Sequence, residues 1–257
     1  MAGHSHSSNI RFRKDRVDAK RARAFAKLSR TITVAAKQGG GSIDANPKLR
    51  LVVEKARVLS MPKDVIDRAI KKGTGEGDLG HFEEFNYEGY GPGGVALLLE
   101  ILTDNRHRTA ADVRMVFEKY GGNMGSSGSV AWMFERRGRF VIPAARGDAP
   151  PWTEESLLEL ALTVGADDLQ PDGDAFVMLC EAVAFASVQQ QLVERGIGLR
   201  AAGIASVPTQ RVAITDAKVA SRLLKLIDAL DDNDDVQDVF SNEDLAEHVV
   251  AALEEES

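Results

Sequence analysis

Residues Thr153–Glu181 read TEESLLELALTVGADDLQPDGDAFVMLCE, and the order of elements in this stretch decides the fold. Thr153 is a helix N-cap residue, because its hydroxyl can accept one of the backbone N–H groups that the first turn of a helix leaves unpaired. It opens a helix over 154–164. Asp167–Gln170 and Ala175–Glu181 then form a hairpin about Asp172-Gly173, a pair suited to a tight turn because glycine accepts a positive φ. Working outward, Phe140–Ile142 is a strand, 184–195 a helix and Ile204–Val207 a closing strand. The order is β-α-β-β-α-β, which predicts a ferredoxin-like unit over residues 137–208.

The sequence on either side of that unit predicts a second α+β domain. Phe82–Tyr90 is an aromatic strand, Gly91-Pro92-Gly93-Gly94 its turn, and Val95–Leu102 a continuous apolar run. Such a run suits a strand buried on both faces or covered by helices. Thr103, Asp104 and Asn105 are cap-type residues before a helix whose inner face is Val113, Val116, Phe117 and Tyr120. Gly121-Gly122 stops that helix, and Val130, Trp132 and Phe134 alternate as a strand. Beyond residue 208 come a strand (211–215), a helix with Val219, Leu223, Leu226 and Leu230 inward, and a strand (236–240). With no partners of their own, they are expected to rejoin the earlier strands. The expected α+β architecture is therefore discontinuous, with residues 81–136 plus 209–242 forming one domain and 137–208 inserted into it. Residues 243–257 read as an acidic tail, at most a short helix.

The N-terminal third differs in charge. Residues 1–77 carry 18 Lys and Arg against 7 Asp and Glu, a balance of +11, inside a 257-residue chain whose net charge is −7. Within 16–37, RVDAKRARAFAKLSRTITVAAK, helical winding puts Phe25, Leu28, Ile32 and Ala35 on one stripe and Arg16, Lys20, Arg23, Lys27 and Arg30 on another. A solvated helix face usually mixes signs, because like charges on one face oppose the helix. A row of one sign calls for something anionic against it, and nucleic acid is the expected partner. Gly39-Gly40-Gly41 ends this helix. Asn46-Pro47 caps a second, with Leu49, Val52, Ala56 and Leu59 inward, and Met61-Pro62 opens a third, with Val65, Ile66, Ala69 and Ile70 inward. The result is a basic three-helix domain over 1–77, followed by a Gly-rich linker, Gly73–Gly80.

These stretches resemble a known family. MAGHS, DAKRARAFAKLSR, AAKQGGG, ANPKLR and MPKDVIDRAIKKGTGE, with YEGYGPGGVALLLEILTDNRHRTAADVR and GGNMGSSGSVAWMF, resemble the YebC family, also described as PmpR-like. The family includes the mitochondrial translational activator of cytochrome oxidase. The resemblance covers most of the chain and implies an N-terminal helical domain plus two α+β domains. It also implies a regulator of gene expression, either a DNA-binding transcriptional regulator or a ribosome-associated factor that helps translation through stretches such as proline runs. Members commonly carry Lys-Trp after MAGHS, where this chain has His6-Ser7.

Three groups of residues carry candidate chemistry. The first is the basic surface: Arg13, Lys14, Arg16, Lys20, Arg21, Arg23, Lys27, Arg30, Lys37, Lys48, Arg50, Lys63, Arg68, Lys71 and Lys72. Lys and Arg neutralise phosphates and release counterions. No zinc-finger spacing, aromatic strand signature or clear recognition helix accompanies them, so backbone and shape contacts are expected over base readout. The second is the 121–129 loop GGNMGSSGS. By composition it is an exposed, mobile connection, with no lysine to make it a phosphate cradle. The resemblance turns it into a partner-contact element, with Gly122, Asn123, Met124, Gly125 and Ser126 at its centre. The third is Arg106, His107 and Arg108 directly before a helix, either an anion site or simple capping with surface charge.

Other chemistry is not expected. Cys180 lies in an apolar strand, where a buried inert thiol is the ordinary reading, and one cysteine makes neither a disulfide nor a zinc site. The aspartates of 231–235 lack the glycine and terminal glutamate of a calcium loop. His4 and His6 could bind a metal, though a polar tail or purification remnant is the simpler reading. No nucleophile–base pair, metal set or nucleotide fingerprint is present. The expectation is a non-enzymatic protein without cofactor or metal, and a reducing, cytoplasmic setting. No apolar run approaches the roughly 18 to 20 residues needed to span a membrane, and the N-terminus has no apolar core of a secretory signal.

Overall fold

The structure is a computed structural model that describes residues 17–75, 80–145 and 150–255, with side chains from 22 to 253 in those ranges. In chain order the first elements are α1 (Val17–Gly39), α2 (Pro47–Val58) and α3 (Lys63–Thr74). Next come β1 (Glu83–Tyr90), β2 (Ala96–Thr103), α4 (Arg106–Lys119), β3 (Asn123–Met124) and β4 (Phe134–Pro143). These are followed by α5 (Glu154–Val164), β5 (Asp168–Asp172), β6 (Ala175–Glu181), α6 (Phe185–Glu194) and β7 (Ala201–Pro208). The last are β8 (Val212–Ile214), α7 (Ala217–Asp231), β9 (Val236–Ser241), β10 (Glu243–Leu245) and α8 (Glu247–Glu255). Contacts group the chain into two units, one holding 28–77 with 136–205, the other 16–27, 78–135 and 206–257.

In the first unit a sheet of order β5-β6-β4-β7 carries α5 and α6. β6 runs antiparallel to both neighbours, with Phe140 opposite Met178 and Gln170 opposite Val177. This is the ferredoxin-like arrangement. Thr153 caps α5 as its sequence predicts, accepting from the Ser156 amide at 3.2 Å. Phe140 stacks on Phe185 at 5.0 Å within a core that includes Leu157, Met178 and Leu192. Cys180 belongs to the same core, and burial pushes its thiol up to about 11, which keeps it protonated and inert at neutral pH.

The helices of this unit are tied by short polar links. Asn46 accepts the Leu49 amide at 3.1 Å as the N-cap of α2, and its side-chain amide donates to the carbonyls of Ala35 and Gly40, each at 2.9 Å. One residue therefore closes the end of α1 and starts α2. α1 and α3 come close enough that a Cβ on Gly73 would stand 2.3 Å from the Thr33 carbonyl oxygen. α2 buries Leu49, Val53 and Ala56, with Val52 and Leu59 only half-buried. The helix has a second apolar face, Leu51 and Val58, packed on the core of the sheet, and a single-stripe reading could not place it.

In the second unit the sheet order is β3-β1-β2-β9. β2 is its most buried strand, as its apolar run requires. Ala96 and Leu98 pack with Val130, Met133, Phe134 and Phe240, while α4 and α7 supply Val113, Phe117, Leu223, Leu226 and Leu230 to the buried interior.

Three expectations are corrected here. Residues 131–133 form a single 3-10 turn rather than strand, and β4 begins only at Phe134, because the Val130 and Ala131 amides go to the Glu88 carboxylate instead of a neighbouring strand. β8 does not join the larger sheet, since it pairs in parallel with β10, Ala213 opposite Asp244. The acidic end is built into the unit: Leu245, Val249 and Leu253 are buried in β10 and α8 between the acidic residues.

Candidate nucleic-acid interface

The cations expected to bind phosphate fall into three sets. Arg13, Lys14 and Arg16 lie outside the described residues, as do the side chains of Lys20 and Arg21, the His4/His6 pair and the His6-Ser7 departure. Part of the Gly73–Gly80 linker lies outside them too. A second set surrounds the helices of the first unit. Lys37, Lys63, Arg68, Lys71 and Lys72 are exposed, Arg30 half-buried. Lys48 donates to Gln38 at 2.9 Å, and Arg68 pairs across one turn with Asp64 at 2.9 Å. Arg50 is turned onto the Ile43 and Asp44 carbonyls, so it helps to shape the loop after α1. An open groove of about 550 Å³ runs between that loop and α3, lined by Asp44, Asp67, Ile70, Lys71 and Thr74 among others.

The third set overturns part of the one-sign row on α1. Arg23 pairs with Asp232, and Lys27, whose side chain is only 10% exposed, donates to the Asp231 carbonyl and to its carboxylate at 3.2 Å. The anion against this part of the row belongs to the protein itself. Asp231 ends α7 and Asp232 is its C-cap residue, so the Lys27 ammonium meets a helix C-terminus, where a cation is favoured. Sequence reasoning had these aspartates in view only as a failed calcium loop.

The glycine-rich loop is held more firmly than its composition suggests. Glu88, buried in β1, accepts the amides of Gly128, Val130 and Ala131 at 2.6, 2.7 and 2.8 Å. Burial pushes its carboxyl up, but the three backbone donors outweigh that and hold it below the usual carboxylate value. The Gly125 amide reaches the Glu88 carbonyl at 2.7 Å, and Asn123-Met124 add a short strand to β1. The Ser129 carbonyl accepts both the Tyr90 hydroxyl (2.9 Å) and the Trp132 indole N–H (3.2 Å). Gly122 and Gly125 are partly covered, whereas Asn123, Ser126, Ser127 and Gly128 stand exposed, with Trp132 63% exposed beside them. An acid on an aromatic strand looks like a solvated residue, so Glu88 carried no sequence signal.

Arg106, His107 and Arg108 do not converge on an anion. Arg108 donates to Asp235 at 2.7 Å and to Asp104 at 3.0 Å, so its charge is matched inside the unit. Thr109 and Thr103 hydroxyls lie 2.8 and 3.1 Å from the same Asp235 oxygen. Burial pushes Asp235 up, and the bonds from Arg108, Thr109 and Thr103 more than reverse it. Arg106 lies over the Phe85 ring at 4.5 Å, and His107 faces solvent. Capping accounts for the rest, since Asn105 accepts the Arg108 amide at 3.1 Å. Among the described residues, no group of three or more His, Cys, Asp or Glu is placed to hold a metal ion, and no helix is long and apolar enough to cross a membrane.

Known proteins match this chain throughout its length. Residues 5–76 match a family model described as "TACO1/YebC protein N-terminal domain", and residues 82–243 one described as "TACO1/YebC second and third domain". A "Probable transcriptional regulatory protein" of Halothermothrix orenii is 47% identical over 256 residues, covering 100% of both chains. One of the same name from Rubrobacter xylanophilus is 50% identical over 254 residues, covering 98% of this chain and 99% of its own. The crystal structure of a conserved hypothetical protein from Aquifex aeolicus superposes with a TM-score of 0.81 at 43% identity, covering 91% of this chain and 94% of that one.

Proposed function

The chain belongs to the TACO1/YebC family, and we propose that it is a nucleic-acid-binding regulator of gene expression that grips phosphate through its basic N-terminal helices. The family is one of regulators, not of enzymes, and the relatives' name, "Probable transcriptional regulatory protein", supports duplex DNA as the partner. The observation that carries the reading is the charge asymmetry: a balance of +11 is confined to residues 1–77 of a chain whose net charge is −7, and Lys63, Lys71 and Lys72 present it to solvent on α3. An acidic remainder keeps the rest of the protein off the same polyanion. Binding of this kind follows phosphate positions and needs no base-reading element.

In this reading residues 1–77 act as the binding domain, 81–136 with 209–242 as the discontinuous body, and 137–208 as the insertion. The Gly122–Ser126 segment, paired to β1 through Asn123 and Met124 and tied by the Gly125 amide to the Glu88 carbonyl, presents a preformed edge to a protein or ribonucleoprotein partner. A cytoplasmic setting suits this role.

Fluorescence anisotropy of a 30-base-pair duplex through a KCl series tests the proposal. Affinity is expected to fall by about 0.9 log units per log unit of salt for each phosphate contacted. Lys63→Glu/Lys71→Glu/Lys72→Glu is expected to lose most of it. Equal binding by that variant, or no salt dependence, overturns the reading. Preference for a ribosomal RNA fragment over the duplex moves the partner from DNA to the ribosome.

A further inference from the structure

The end of α7 is an electrostatic oddity. Asp228, Asp231, Asp232, Asp234 and Asp235 crowd the C-terminal end of a helix that has no base in its last turn, where the helix dipole already disfavours acids. A local arrangement that works against its own helix points either to compensation elsewhere or to use. Compensation comes from α1, through Arg23 on Asp232 and Lys27 on Asp231. The two pairs differ. Lys27 is buried, whereas the Arg23 and Asp232 side chains are 51% and 46% exposed, so water, salt and phosphate all reach that pair.

We propose that Asp232 is a built-in competitor for nucleic-acid phosphate. It occupies the Arg23 guanidinium in the free protein, and a bound nucleic acid takes that guanidinium by opening the Arg23–Asp232 pair while Lys27–Asp231 stays closed. The inference rests on the nucleic-acid reading above. Its chemistry is an exchange of one oxyanion for another on the same donors. A guanidinium presents a planar fork that fits carboxylate and phosphate alike. An exposed pair of this type is worth little in water, so the exchange is cheap. The effect on affinity is a small penalty that the free protein carries and that a bound phosphate has to offset.

The test is anisotropy with the same 30-base-pair duplex on the full chain. Asp232→Asn, and Asp232→Ser as a second neutral form at this half-exposed position, are expected to bind about three- to tenfold more tightly at low salt. The gain should shrink as salt screens the competition. Asp232→Glu, which keeps the carboxylate, is expected to stay near the unchanged protein. In an Arg23→Gln background the gain should vanish, because the competition has no donor left to contest. An equal gain in both backgrounds means simple charge repulsion and overturns the proposal. Unchanged or weaker binding by both neutral variants also overturns it, while the nucleic-acid reading stands. Failure of the unchanged protein and of every Asp232 variant to bind removes that reading and this one together.

Discussion

The Glu88 carboxylate accepts the Gly128 amide at 2.6 Å, across forty residues of chain, from beneath a loop whose sequence alone describes no restraint. With Val130 and Ala131 on its other oxygen, the carboxylate acts as a small anion nest turned inside out, in which the protein provides both the anion and the amides. That one side chain fixes the Gly128–Ala131 end of the segment, while main-chain bonds to β1 fix the Asn123–Gly125 end.

Glu88→Gln keeps the size but drops the charge and turns one acceptor into a donor facing an N–H. It is expected to cost about 1.5–3 kcal/mol in urea unfolding, the range for hydrogen bonds to a charged group. Hydrogen exchange should show faster amides at Gly128, Val130 and Ala131 with little change in β6. Because the folded-state carboxyl sits below its ordinary value of 4.5, its contribution is complete above that value. It is lost as pH falls through the lower folded value. The variant should therefore lose less stability than the unchanged protein in acid below pH 4.5.

Gly73→Ala is expected to destabilise. Gly73 is helical, and helix propensity alone would favour alanine by about 1 kcal/mol. The new Cβ would meet the Thr33 carbonyl oxygen at 2.3 Å, and Thr33 also lies 3.1 Å from the Ala69 carbonyl through its hydroxyl. Overpacking at such a crossing costs about 1–3 kcal/mol, which exceeds the propensity gain. A thermal melt showing a higher midpoint would contradict the close approach of α1 and α3.

Arg108→Ala separates capping from anion binding. With its guanidinium on Asp235 and Asp104, Arg108 is a structural cation, and its loss takes a charged donor from the buried Asp235 carboxylate that the Thr103 and Thr109 hydroxyls also meet. Stability should fall, while duplex affinity stays within twofold. A large loss of affinity with unchanged stability would restore the anion site.

What the sequence made legible was local. Thr153, Asn46 and Asn105 sit at the helix caps their side chains predict, while the hairpin turns one residue later than expected, on Gly173 and Asp174, with Asp172 still paired to Ala175. The β-α-β-β-α-β order needed only those signals and the apolar runs between them. Arg23 and Asp232 are 209 residues apart, and Lys27 and Asp231 204. No periodicity links such distant residues, so a cation row that looked open to solvent turned out to be partly matched. Val130–Phe134 failed for the same reason, since alternation reports which side chains can be buried but not where the amides find their acceptors.

Asn242 shows the order in which the protein can be assembled. Its side chain accepts the Ala96 amide at 2.8 Å and its carbonyl the Val212 amide at 2.8 Å, at the point where β9 hands over to β10. β2 therefore gains its second neighbour, β9, only when residues 236–241 exist, and β8 gains β10 later still. During synthesis the β4–β7 sheet has all its strands by residue 208, while β2 keeps an unpaired, strongly apolar edge until residues 236–241 are made. Open apolar edges invite wrong pairing. A chain that stops after β7 and before residue 236 would have one sheet complete and the β2 edge of the other exposed, and clearance of such fragments becomes part of the cost of making this fold.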